Sequence, residues 1–164
     1  MKKLFLIVVT FIGFTCISNS QNIAENAIGL RLGGGDSFGT EVTYQRLISE
    51  NNRLEFNLGW RNGDDNGNDF NAIRFVGVYQ WVWVLDGNFY WYTGLGAGIA
   101  SFDIDLPGGG DRNSTGLLVA GNIGIEYDFD IPLQVSLDFR PELGLGSFND
   151  NLDFDIALSF RYQF

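Results

Sequence analysis

Histidine is absent from this chain of 164 residues. Its absence excludes Ser-His-Asp and Cys-His nucleophilic centres, imidazole-ligated zinc and histidine acid–base catalysis. Cysteine occurs once, at Cys16, so no internal disulfide and no Cys-ligated cluster forms. Proline is rare, at three residues, and glycine frequent, at 22, without a collagen-like period. Ten basic side chains face twenty acidic ones, for a formal charge of −10. The clustered cations that a phosphate backbone requires are missing, which excludes nucleic acid as a partner. The length suits one domain with a sizeable core.

The only two lysines, Lys2 and Lys3, precede an apolar run from Leu4 to Phe14 that is too short to span a bilayer as a helix. Ser18 and Ser20 then stand at the −3 and −1 positions of a cut before Gln21. Residues 1–20 are expected to be a cleavable signal peptide, and residues 21–164 the mature domain. An uncleaved anchor helix, or a lipid on Cys16, is the alternative; Gly13-Phe14-Thr15 matches a lipoprotein processing site poorly. The mature chain keeps eight arginines, no lysine and all twenty acids, a net charge of −12.

Period-two alternation runs through this mature chain. Leu152, Phe154, Ile156, Leu158, Phe160, Tyr162 and Phe164 share one face of an extended strand; Asp153, Asp155, Ala157, Ser159, Arg161 and Gln163 share the other. A helix would set acids among aromatics on every side, so a strand is the consistent reading. The same pattern places Leu54, Phe56, Leu58 and Trp60 against Glu55, Asn57, Gly59 and Arg61, and Leu133, Val135, Leu137 and Phe139 against Gln134, Ser136, Asp138 and Arg140. It predicts eight strands at about 27–34, 38–48, 53–62, 70–83, 89–102, 115–129, 132–142 and 151–164, and no amphipathic helix. In the fourth, Val76 and Val78 interrupt the polar side; in the fifth, Tyr90 and Tyr92 share a face with Gly94, Gly96 and Gly98. Short turns near 49–52, 86–87 and 130–132 alternate with longer Gly-, Asn- and Asp-rich links at 62–69, 103–114 and 143–150; the link near 34–36 is a tight exception.

Two all-β arrangements fit such a pattern. A soluble barrel or sandwich buries its apolar rows; a membrane barrel turns them toward lipid. Three features favour the second. Trp60, Tyr79, Trp81, Trp83, Trp91, Tyr127, Phe160, Tyr162 and Phe164 lie on the apolar face, many near strand ends, as in the aromatic girdles of bilayer barrels. The polar face carries Arg31, Arg61, Arg74, Arg140 and Arg161 with Glu41, Glu55, Glu126, Asp138, Glu142 and Asp155, a set suited to a closed network of ion pairs around a narrow lumen. The expected signal peptide exports the chain past an inner membrane. Several strands also reach the ~9–11 residues that cross a bilayer when tilted. The expected fold is therefore an eight-stranded, antiparallel, up-and-down transmembrane β-barrel. Arg46, on the lipid side near a short turn, is expected to reach the headgroups, unless a bulge changes its register.

With these strands, loop lengths and the terminal Phe160-x-Tyr162-x-Phe164, residues 22–164 resemble the small eight-stranded outer-membrane barrels of Gram-negative bacteria, the OmpA/OmpX-like β-barrel domain. The resemblance implies both chain ends on the periplasmic side, three periplasmic turns and four outward loops, with no appended peptidoglycan-binding domain. It implies that Phe160, Tyr162 and Phe164 are the signal read by the barrel-assembly machinery, and that outer-membrane lipid and lipopolysaccharide surround a monomer. It implies no enzymatic activity and no cofactor.

Other constellations are weaker. Asn62, Asp64, Asn66 and Gly67 fit positions 1, 3, 5 and 6 of a calcium loop, but Ile73 stands where a bidentate glutamate is required, which rules out an EF-hand. Divalent cations bridging the acidic loops to lipopolysaccharide remain an expectation. Pro107-Gly108-Gly109-Gly110 lacks the lysine and helix of a phosphate cradle. The expected role is a non-enzymatic outer-membrane barrel, structural or surface-binding; a small solute channel and a soluble periplasmic lipid-binding barrel are the alternatives.

Overall fold

A computed structural model describes residues 23–34, 39–65, 68–106, 110–145 and 152–164. The segment read as a signal peptide and parts of the outward links, including residues 66–67 and 107–109, lie outside the described residues. Eight strands follow in chain order: β1 (Asn26–Gly34), β2 (Thr40–Ser49), β3 (Asn52–Asp65), β4 (Asn68–Asp86), β5 (Phe89–Leu106), β6 (Gly110–Asp128), β7 (Leu133–Leu145) and β8 (Leu152–Gln163). Each pairs antiparallel with its neighbour in sequence, and β1 closes on β8, so the sheet is a barrel without lateral edges through its body.

Alternation determines which face looks where. Leu158 and Phe160 are exposed on the outside, whereas Ser159 between them and Arg161 after them are buried, Arg161 at 1% exposed. Ile28, Leu30, Phe75, Leu95, Ile125 and Leu137 also face outward. The largest fully buried side chains are led by four arginines, Arg31, Arg53, Arg140 and Arg161. This is the inverse of a water-soluble core, and it suits a hydrocarbon surround.

Local chemistry explains the turns. Gly87 has φ +54, and the two-residue connection between Asp86 and Phe89 needs such a left-handed position. Aromatic pairs cover the outer surface near the turn end: Trp83 stacks on Trp91 with centroids 4.5 Å apart, and Phe89 meets Tyr127 at 4.6 Å.

The strands differ from expectation at one end. The β2–β3 ladder stops at Glu41–Gly59, but the β3–β4 ladder continues to Asp65–Asn68 and the β5–β6 ladder to Leu106–Gly110. On the far side, among the described residues, β6 pairs with β7 only from Leu117–Leu145. A four-stranded sheet of residues 60–65, 68–73, 101–106 and 110–116 therefore rises past the barrel rim. The described parts of the Asn-, Asp- and Gly-rich stretches read as loops are strand here, because cross-strand pairing outweighs the low β propensity of those residues.

Candidate functional site

The lumen is the chemically richest region. Arginine is the cation that suits it: a planar fork of donors that stays charged and pairs two-pronged with carboxylates. At the centre, Arg31 on β1 donates to Asp138 of β7 (Nη2 to Oδ1, 2.6 Å), to Glu41 of β2 (3.1 Å) and to Asp155 of β8. Glu41 collects three arginines: Arg31, Arg74 of β4, and Arg140 of β7, whose Nη2 lies 2.9 and 2.8 Å from its two oxygens. Arg74 and Arg140 both pair with Glu142, at 2.7 and 2.8 Å.

A second cluster lies nearer the turn end. Arg53 grips Glu126 with both terminal nitrogens, at 2.8 and 2.6 Å, and its Nε donates to Gln80 at 2.6 Å. Its guanidinium sits 4.9 Å from the centroid of the Tyr92 ring, a cation–π contact. Arg161 donates to Glu55 (3.0 Å), Ser136 (2.7 Å), Gln134 and Thr43. Gln80 to Asn122 (2.7 Å) and Asn122 to Asp138 (3.3 Å) join the two clusters. Its hydrogen bonds and ion pairs link seven of the eight strands across the axis, and the Tyr92 ring beside Arg53 brings in β5. In so dry a place each charge is costly unless paired, and the shared carboxylates meet that demand.

Ten of the eleven lumenal residues named from the sequence are thus brought together, and Arg61 is not. It has inward parity, but it lies beyond Gly59, where the β2–β3 ladder ends, and it is exposed. Arg53, which is 1% exposed, belongs to the network and was missed. Carrying the Glu55-Asn57-Gly59 series back by one step would have found it. The inner face is also not polar throughout: Val76, Val78, Ala100, Leu118 and Ala120 form a buried apolar cluster on the β4–β6 wall, with Phe102 against it. Arg46 is exposed on the outer face near the chain ends, with Nη1 2.8 Å from Asn26 Oδ1. Phe160, Tyr162 and Phe164 are exposed along the outer face of the last strand. Among the described residues no group of three His, Cys, Asp or Glu is placed to hold a metal.

Tight packing of the lumen gives one direct prediction. A Cβ on Gly124 would lie 2.5 Å from the Tyr92 ring and 2.8 Å from the Leu137 carbonyl oxygen. Gly124→Leu is therefore expected to push Tyr92 from beneath Arg53 and to cost about 1–3 kcal/mol. A urea titration in lipid vesicles, read by the gel mobility of unboiled samples, would show the lowered midpoint; an unchanged midpoint would mean the ring has room to move.

No protein-family model matches the chain, and no curated protein matches it in sequence. Solved structures do match in fold. Ail, the attachment invasion locus protein of Yersinia pestis, is 13% identical, with a TM-score of 0.61 over 88% of this chain and 100% of that one. Neisserial surface protein A is 13% identical, with a TM-score of 0.58 over 85% and 94%. The N-terminal β-barrel domain of Pseudomonas aeruginosa OprF is 11% identical, with a TM-score of 0.62 over 87% and 100%. The chain has the fold of the small eight-stranded outer-membrane β-barrels.

Proposed function

We propose that this protein is a non-enzymatic barrel of the bacterial outer membrane that presents a surface-binding platform. The carrying observation is the sheet of β3–β6 that outreaches the barrel rim. Its strands have 14, 19, 18 and 19 residues, whereas β1 and β2 have 9 and 10. About 9–11 residues suffice to cross the bilayer, so roughly eight residues of β4, β5 and β6, and about four of β3, are surplus to spanning. Among the described residues, the β6 stretch 110–116 pairs only with β5; on this reading its other edge is where an extended partner segment adds as a strand.

Composition narrows the partner. The projecting sheet carries Asp64, Asp65, Asp69, Asp103, Asp105 and Asp111 against Arg61 and Arg112. Ail has been solved with the heparin analogue sucrose octasulfate; a sulfated polyanion is the wrong sign for this sheet, and a neutral or cationic extended segment is the right one. A channel is the second reading, and it is disfavoured because Arg31, Arg140, Arg161 and Tyr92 fill the axis.

The test displays the protein on a non-adherent Gram-negative host and scores attachment to immobilised host-cell and matrix surfaces. A variant with residues 102–114 replaced by an Asn-Gly turn keeps the barrel and removes the β5–β6 half of the platform, with the β6 edge. Attachment gained with the full chain and lost with the short one is expected. Attachment by neither, together with steady conductance in planar bilayers, would replace the platform with a channel.

A further inference from the structure

The β2–β3 turn and β4 end at different heights. Asn52 opens β3 directly opposite Trp81, but β4 runs on to Asp86. The short turn thus leaves a step against the outer face of its neighbour. A groove of about 330 Å³ occupies the step, lined by Ser49, Glu50, Asn51, Asn52, Trp81 and Trp83. Its aromatic wall is held in place: Trp83 stacks on Trp91 at 4.5 Å, and Trp81 meets Tyr79 edge-on at 5.0 Å. The turn is fixed too, since the Val82 N–H donates to the Asn51 carbonyl at 2.8 Å.

Depth and charge say what such a groove can take. It lies at the aromatic end of the barrel wall, where rings sit at headgroup level in a bilayer. The lining has one carboxylate, Glu50, and no cation. The exposed cation of the same end, Arg46, is turned to Asn26 and Glu25 on the β1 side of β2. Two indoles beside a carboxylate favour an ammonium group, with the rings contributing cation–π attraction and Glu50 a charge-assisted hydrogen bond. Ser49, Asn51 and Asn52 supply hydroxyl and amide donors for a phosphate next to that ammonium. We infer that this groove is a binding site for the zwitterionic headgroup of phosphatidylethanolamine from the leaflet at the chain-termini end.

The inference rests on the membrane reading, and its test separates the two. The folded barrel in dodecylmaltoside micelles is titrated with short-chain phosphatidylethanolamine, phosphatidylcholine and phosphatidylglycerol, with tryptophan emission and native mass spectrometry as readouts. Phosphatidylethanolamine is expected to bind most tightly, because choline offers no N–H to Glu50 and the glycerol headgroup leaves a net anion beside it. Glu50→Gln is expected to weaken that binding about tenfold and to erase the preference over phosphatidylglycerol. Trp83→Leu should weaken phosphatidylethanolamine and phosphatidylcholine, whose ammonium groups meet the rings, and leave phosphatidylglycerol, which has none, little changed. Equal affinity for the three lipids, or a Glu50→Gln barrel that binds like the parent, would overturn the site. A chain that stays folded and soluble without detergent would instead overturn the membrane reading.

Discussion

Arg31→Leu is expected to destabilise the folded barrel by about 3–5 kcal/mol, the cost of stranding buried charge. The guanidinium is 0% exposed and is shared by Asp138, Glu41 and Asp155. Leucine fills much of the space but leaves those carboxylates with fewer donors. Glu41 keeps Arg74 and Arg140, and Asp155 keeps Arg140 at 3.5 Å, so Asp138 bears most of the loss. Removing that partner as well, in Arg31→Leu with Asp138→Leu, is expected to recover part of the stability, since a pair of apolar groups is cheaper than one unpaired carboxylate. Urea unfolding in vesicles measures both. A double variant no better than the single one would mean that Asp138 is not the stranded group.

Leu158→Arg tests the other face and is expected to cost about 2–4 kcal/mol, the penalty for arginine at a bilayer midplane. Leu158 sits near the middle of β8, exposed on the outside and flanked across the ladders by Leu32 and Leu137. The same change at Leu152, at the far end of β8, should cost only ~0–1 kcal/mol, because the long side chain reaches the interface there. Equal costs at the two positions would contradict the depth assigned to them. In detergent both penalties should shrink, since a micelle deforms around a charge more readily than a bilayer.

These two experiments interrogate what the residue pattern made legible, namely which face is which. Alternation in 152–164 was enough to send Leu158 outward and Arg161 inward, because period two leaves only two directions per strand. It also gathered Arg31, Glu41, Asp138 and Asp155 on one face before any register was known. Height along the axis was a different matter. Arg61 has the same parity as Glu55, yet it sits beyond the last β2–β3 pair, where an inward direction no longer means an enclosed one. Strand ends were hidden for a related reason: Asp, Asn and Gly read as loop when taken singly, and only the partner strand converts them into ladder. The apolar cluster of Val76, Ala100 and Leu118 comes from three strands, so no single stretch of sequence could display it.

Holding arginine along the axis has a consequence for proteases. Trypsin needs an arginine or lysine on a segment that can leave the surface and enter a cleft. Five of the eight arginines of the expected mature chain are locked in the lumen, and among the described side chains only Arg46 and Arg61 are left outside. A folded barrel would present digestive enzymes of that specificity with almost nowhere to cut, and an unfolded one with a site in six of its eight strands, since β5 has no arginine and Arg140 precedes Pro141, so the same residues that hold the wall together also mark whether it has been assembled.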